Sequence, residues 1–176
     1  MGCMETREGV TRNFALKYQW ERSDAGRATS RRPKQKNDCT VRALALAVEI
    51  PYDEAYDLLA AAGRKCTKGF DFKTWAKTAT VNERTFRWIP FQAVKGSMRM
   101  NPASFCDLRP VGRYVIRTAK HVSTVIDGVL HDISPERPDR CIYGAWEVLQ
   151  ASHHLTSKLS ASTKSIVRQS TKEGCE

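Results

Sequence analysis

The stretch Lys34–Val48, KQKNDCTVRALALAV, sets one cysteine at the mouth of an apolar run. From Cys39 to Ile50 only Thr40, Arg42 and Glu49 interrupt the apolar residues, so the segment reads as a helix buried nearly all round. Arg42 and Glu49 are seven residues apart and fall on one side of that helix. Asn37 or Asp38 is placed to cap its first turn by accepting free backbone N–H groups. Cys39 then has two readings. A cysteine packs as a small hydrophobe, and a helix N-terminus is also where a thiol gives up its proton.

Working outward, Pro51 ends the first helix and opens a second in PYDEAYDLLAAAG (51–63), with Pro51 in the first turn and Gly63 at the C-cap. FDFKTWAKTA (70–79) predicts a third, shorter helix with Phe72, Trp75 and Ala76 on one face. On the N-terminal side, Phe14, Leu16, Tyr18 and Trp20 alternate in VTRNFALKYQW (10–20), the pattern of a half-buried strand. ERSDAGRATSRRPKQK (21–36) has no periodicity and reads as a loop.

The second half is rich in β-branched and aromatic residues. RTFRWIPF (84–91), GRYVIRTA (112–119), HVSTVIDG (121–128), VLHDIS (129–134) and YGAWEVL (143–149) read as strands, with a two-residue hairpin turn in IDGV. Helices followed by antiparallel strands predict an α+β domain. The expected organisation is an N-terminal strand and basic loop (1–34), a folded domain (35–149) and a polar basic tail (150–176). No internal repeat is visible.

A chain of 176 residues with 41% hydrophobic content and four tryptophans fits one domain with a real core. No run approaches the ~20 apolar residues of a membrane span, and the start carries no apolar stretch of signal-peptide length. MGCMET does match the loose myristoylation pattern, through Gly2 and Thr6 with Cys3 beside it. The six cysteines (3, 39, 66, 106, 141 and 175) form no CxxC pair and no Cys/His cluster. That spacing argues against a metal and against a disulfide framework, so no cofactor is expected and reduced thiols in a cytoplasm are. A net charge of +10 favours acidic partners. Its excess in GRATSRRPKQK and TSKLSASTKSIVRQSTK lacks interleaved aromatics, which fits solvated segments better than a nucleic-acid reading surface.

The hairpin register carries the chemistry. With Asp127 and Gly128 as the turn, paired residue numbers sum to 255, so Ser123 faces Asp132 and His121 faces Ser134. Side chains alternate along a strand, which puts His121, Ser123 and Asp132 on one face and His131 on the other. Diagonal neighbours stand ~7–8 Å apart at Cα, within reach of an imidazole–carboxylate hydrogen bond. Asp127 shares the parity but lies ~20 Å along the strand from His121. A histidine oriented by a carboxylate is the base half of a nucleophilic triad. Cys39 is the candidate nucleophile, favoured by the helix dipole and by an adjacent imidazolium. The backbone N–H of Cys39, with the amide of Asn37 or Gln35, would serve an oxyanion.

Each of these residues also has a plain structural reading: packing for Cys39, a hydrogen-bonded strand residue for His121, a strand end for Asp132. Cys66, Cys106 and Cys141 lack a helix-start context and read as packing. His153 and His154 lie in the polar tail and read as solvated. Trp88, Phe91 and Trp146 are candidates for a substrate groove, though strand aromatics more often belong to the core.

NDCTVRALALAVEIPYDEAYDLLAAAGRK, followed some 70 residues later by GRYVIRTAKHVSTVIDGVLHDIS, resembles small papain-like cysteine peptidases of bacteriophage and bacterial genomes. The resemblance covers roughly residues 35–134 and rests on order: Cys at a buried helix start, His at a strand head, Asp on the next strand. It implies a papain-like α+β fold and a Cys39–His121–Asp132 peptidase of a virus or bacterium, acting on a polypeptide in a cytoplasm. Many relatives carry Gln five or six residues before the Cys. Positions 33 and 34 are Pro and Lys here, which leaves Asn37, within the matching NDC, and Gln35 as oxyanion donors. The rival expectation is a papain-like scaffold without turnover, a binding or virion-assembly protein whose basic surface holds nucleic acid or an acidic host protein.

Overall fold

A computed structural model describes residues 10–13, 18–66, 68 and 70–151. In chain order these form strands β1 (Val10–Asn13) and β2 (Tyr18–Arg22), a 3-10 turn (Arg27–Thr29), and helices α1 (Cys39–Val48), α2 (Tyr52–Ala61) and α3 (Phe72–Trp75). Strand β3 (Arg84–Pro90), helix α4 (Pro102–Leu108) and strands β4 (Arg113–Thr118), β5 (His121–Ile126), β6 (Val129–Asp132) and β7 (Gly144–Gln150) follow. The strands make one mixed sheet in the order β1-β2-β6-β5-β4-β7-β3, an α+β fold.

Helix α1 stops where Glu49 turns left-handed (φ 58°) and returns its N–H to Ala45 O, and Pro51 cannot continue it. Helix α2 places Asp53 and Glu54 at its positive end. Gly63 (φ 91°) closes it, with Gly63 N–H on Ala60 O and Arg64 N–H on Leu59 O, the paired bonds of a Schellman motif. That reversal carries the chain back toward the start of α1.

In the β5–β6 hairpin Asp127 (φ 47°) and Gly128 (φ 77°) are both left-handed, as a type I′ turn demands. The register is Ile126↔Val129, Val125↔Leu130 and Thr124↔His131, so the pairs sum to 255 as the sequence predicts. Strand β5 also pairs with β4, which pairs in turn with β7.

The sheet is covered on both faces. Helices α1, α2 and α3 pack Val41, Leu44, Val48, Leu59 and Phe72 with Val115, Val122 and Trp146. Helix α4 packs Phe105 and Cys106 with Tyr114, Ile116, Val125 and Leu130. Tyr114, Val115 and Ile116 are therefore buried in succession, which happens only where neither face of a strand meets water. Burying a side chain such as Leu44 or Leu59 contributes about 1.5–3 kcal/mol. Trp146 is in this core with Trp88 beside it, ring centres 4.6 Å apart, and Phe91 packs on Phe105 at 5.9 Å. All three aromatics are thus engaged in packing, and Trp146 also lines a small pocket with Thr40 and Val122.

The structure departs from the expectations at several points. The N-terminal strand over 10–20 is two strands, β1 and β2, paired antiparallel, with residues 14–17 outside the described set. The sheet is not purely antiparallel, because β2 runs parallel to β6 with Trp20 opposite Leu130 and Arg22 opposite Asp132. Segment 1–34 therefore contributes strands to the same sheet as the rest of the chain. Its basic loop is also pinned: Arg32 reaches Asp53 and Asp57 of α2, each at 2.7 Å, and lies over the Tyr56 ring. Helix α4 was not expected at all. Its start is set by Asn101, whose side chain accepts from Ser104 N–H at 2.9 Å, and by Pro102 in the first turn. Among the described residues no helix is long and apolar enough to cross a membrane. Gly2, Cys3, Thr6, His153, His154 and the tail beyond residue 151 lie outside the described residues.

Candidate active site

Three element ends meet at one end of the central strands: the first residue of α1, Cys39, the first of β5, His121, and the last of β6, Asp132. Continued by one residue, the hairpin register sets Ser123 opposite Asp132, and Ser123 Oγ donates to Asp132 Oδ2 at 2.8 Å. His121 Nε2 donates to the same oxygen at 2.5 Å. With Nε2 so engaged, Nδ1 is the nitrogen left for sulfur. The ring and the Cys39 thiol act on each other, and the Val122 backbone N–H favours the sulfur's negative charge as well.

Asp132 is the best-held group of the three. Its Oδ1 accepts from Arg42 Nη1 at 3.0 Å and from the Ile133 N–H at 2.7 Å. Arg42 is buried, one turn into α1, and its Nε donates to Asp38 Oδ1 at 3.3 Å. Asp38 in turn accepts from the Tyr52 hydroxyl at 2.8 Å and from Arg27 Nη1 at 3.3 Å. The capping role expected of Asp38 is thus replaced: it occupies the N-cap position without accepting from a backbone N–H of the first turn, because its carboxylate turns inward to the guanidinium groups. Glu136, also buried, holds Oε1 at 3.7 Å from His121 Nε2 and accepts from Thr118 Oγ1 and Arg140 Nη1. Sequence reasoning missed Arg27, Arg42 and Glu136 as parts of this cluster. An arginine inside an otherwise apolar helix was the available signal for Arg42, since such a charge must find partners.

The electrostatics follow from this packing. Burial opposes the imidazolium most, but hydrogen bonds and charge from Asp132 and Cys39 outweigh it, holding His121 up at about 10. Burial likewise opposes the thiolate most, yet His121, the Val122 N–H and Arg42 bring Cys39 below its ordinary 9.0. Asp132 is lowered against burial by His121, Arg42 and Ser123. Both shifts act toward a thiolate–imidazolium pair, with the carboxylate ionised behind it.

Cys39 is only partly buried and forms part of the wall of an open cleft of about 930 Å³. Gln35 and Asn37 line the same cleft, but their amides are engaged elsewhere. Asn37 Nδ2 donates to Cys66 O at 3.3 Å and Gln35 Nε2 to Lys36 O at 2.8 Å. Each amide keeps a second N–H, and the Cys39 N–H lies in the first turn, where no intrahelical acceptor exists. His131 is elsewhere, with Nδ1 3.6 Å from Glu21. Cys106 is buried in the core and Cys141 partly so, whereas Cys66 is exposed rather than packed. Among the described residues no cluster of His, Cys, Asp and Glu is arranged to hold a metal. No protein-family model matches the chain, and no curated protein and no solved structure is significantly similar to it.

Proposed function

We propose that this chain is a thiol hydrolase of peptide or isopeptide bonds, built on a papain-like plan. The observation supporting it is the run of interactions from Arg42 through Asp132 and His121 to Cys39, which ends at an accessible cleft. The Cys39 thiolate attacks the carbonyl carbon, forming the C–S bond and a tetrahedral oxyanion. The Cys39 backbone N–H, the helix dipole and an amide N–H of Asn37 or Gln35 stabilise that charge. The His121 imidazolium gives its proton to the leaving amine as the C–N bond breaks. Water then attacks the thioester, neutral His121 takes its proton, and the C–S bond breaks to restore the thiolate. Asp132 stays ionised throughout, fixing the ring and stabilising its cationic form.

Peptidyl-coumarin turnover and labelling by a peptidyl vinyl sulfone test this reading. The wild type is expected to do both, with loss in Cys39→Ala and a fall of orders of magnitude in His121→Ala. Equal labelling of wild type and Cys39→Ala overturns it. A second reading, a scaffold that binds without turnover, is favoured by one observation: both candidate oxyanion amides are bound to backbone carbonyls. Labelling without any turnover would select it.

A further inference from the structure

The walls of the cleft carry charge of one sign. Lys36 and Lys68 lie on the side where Arg64 Nη2 donates to Asn37 O at 2.7 Å, and Arg117 and Lys120 lie on the side of the β4–β5 turn that delivers His121. Both lysines of the first pair, and Arg117 and Lys120 of the second, are exposed. Asp38 is the one carboxylate lining the cleft among the described residues, and it is buried and already shared by Arg27, Arg42 and Tyr52. Lys36, Lys68 and Lys120 have no carboxylate partner among the described residues, and Arg117 acts through space on Asp71.

Arg64 adds an independent observation. It is 6% exposed, pairs with no carboxylate, and its Nη1 finds no acceptor among the described residues. A buried guanidinium with an unspent donor costs stability unless something supplies negative charge nearby. Arg31 and Arg32 of the 26–36 loop are, in contrast, neutralised by Asp53 and Asp57. Unbalanced positive charge thus lines the cleft, with Lys36 at the end of the basic stretch forming part of its wall.

Resting on the hydrolase reading of the cleft, we infer that its substrates are polypeptides with acidic side chains flanking the bond presented to Cys39. A single-stranded nucleic acid fits the walls less well. Such ligands stack bases on free aromatic faces, and Phe70, the aromatic residue lining the cleft among the described residues, packs edge-on to Trp75.

The test uses full-length Cys39→Ala and fluorescence anisotropy with two labelled peptides, one with Glu on both sides of a central Gly-Gly, the other with Gln in their place. The Glu peptide is expected to bind about tenfold tighter or better, losing that margin at high salt. Lys68→Glu and Lys120→Glu are expected to reverse the preference while the circular dichroism stays native. Equal binding of the two peptides, or a preference untouched by both charge reversals, overturns the inference. Oligo-dT binding tighter than the Glu peptide, with loss in the same variants, overturns it in favour of nucleic acid. Vinyl sulfone labelling of wild-type Cys39 is read separately. Labelling without acidic preference removes only the substrate inference, and acidic preference without labelling removes only the hydrolase.

Discussion

Arg42 and Asp132, ninety residues apart in the chain, meet at 3.0 Å inside the protein, and the carboxylate they share is the one that holds His121. A helix N-terminus and a hairpin are thereby locked in one geometry. Replacing Arg42 by Met keeps the volume but leaves Asp132 and Asp38 without their common cation. Breaking one side of a buried ion pair costs about 3–5 kcal/mol. Arg42→Met is therefore expected to unfold at markedly lower urea concentration, and Arg42→Lys, which keeps the charge but not both contacts, at an intermediate one. An unchanged midpoint in Arg42→Met would mean that this pair does not order the site.

The pH dependence of stability has a definite sign. His121 is raised from 6.5 to about 10, so its contribution is fully present below about pH 6.5 and is lost as pH rises through about 10. Asp132 is lowered from 3.8, so its contribution is present above that pH and disappears as pH falls through the folded-state value. The stability gap between wild type and His121→Ala should accordingly shrink steadily from pH 7 to pH 10 in urea titrations. A gap that grows over that range would refute the assignment.

Glu136 stands 3.7 Å from the same ring nitrogen that Asp132 occupies, and its negative charge favours the imidazolium. Glu136→Gln keeps acceptors for Thr118 and Arg140 but removes that charge. The His121 titration, followed by NMR, is expected to move to lower pH, and by less than in Asp132→Asn, whose partner is closer. A larger displacement in Glu136→Gln would make Glu136 the principal orienting carboxylate.

Gly144 marks a packing limit away from the cleft. A Cβ there would lie 2.3 Å from the Trp88 ring and 2.8 Å from Ile89 O, closer than such atoms can approach. Gly144→Ala must push Trp88 off Trp146, and overpacking of this kind costs about 1–3 kcal/mol. Thermal melting should report the loss, while vinyl sulfone labelling of Cys39 in the folded variant stays as in wild type.

What was legible in the sequence was whatever is fixed locally. A two-residue turn at Asp127–Gly128 sets the pairing of every residue around it, and that parity alone puts His121 and Asp132 on one face. The apolar run after Cys39 likewise marked α1 and its start. The destination of Arg42 was not legible, because helical spacing says which side of α1 it occupies and nothing about a partner ninety residues on. The same holds for β2, whose parallel pairing with β6 needs a long crossover and leaves no local pattern. Helix α4 spans seven residues, too few for periodicity to speak. The arginines at 31 and 32 read as solvated because their acidic partners belong to α2, twenty-one to twenty-six positions away.

The central claim is that Cys39 is a thiolate held by His121, and Cys66 provides the internal comparison, being exposed where Cys39 is only partly so. Iodoacetamide at pH 6.5, quenched at intervals and read by peptide mass mapping, measures both rates in one sample. Cys39 is predicted to be alkylated well ahead of Cys66 in the wild type, with the order reversed in His121→Ala. Cys66 leading in the wild type would contradict the account.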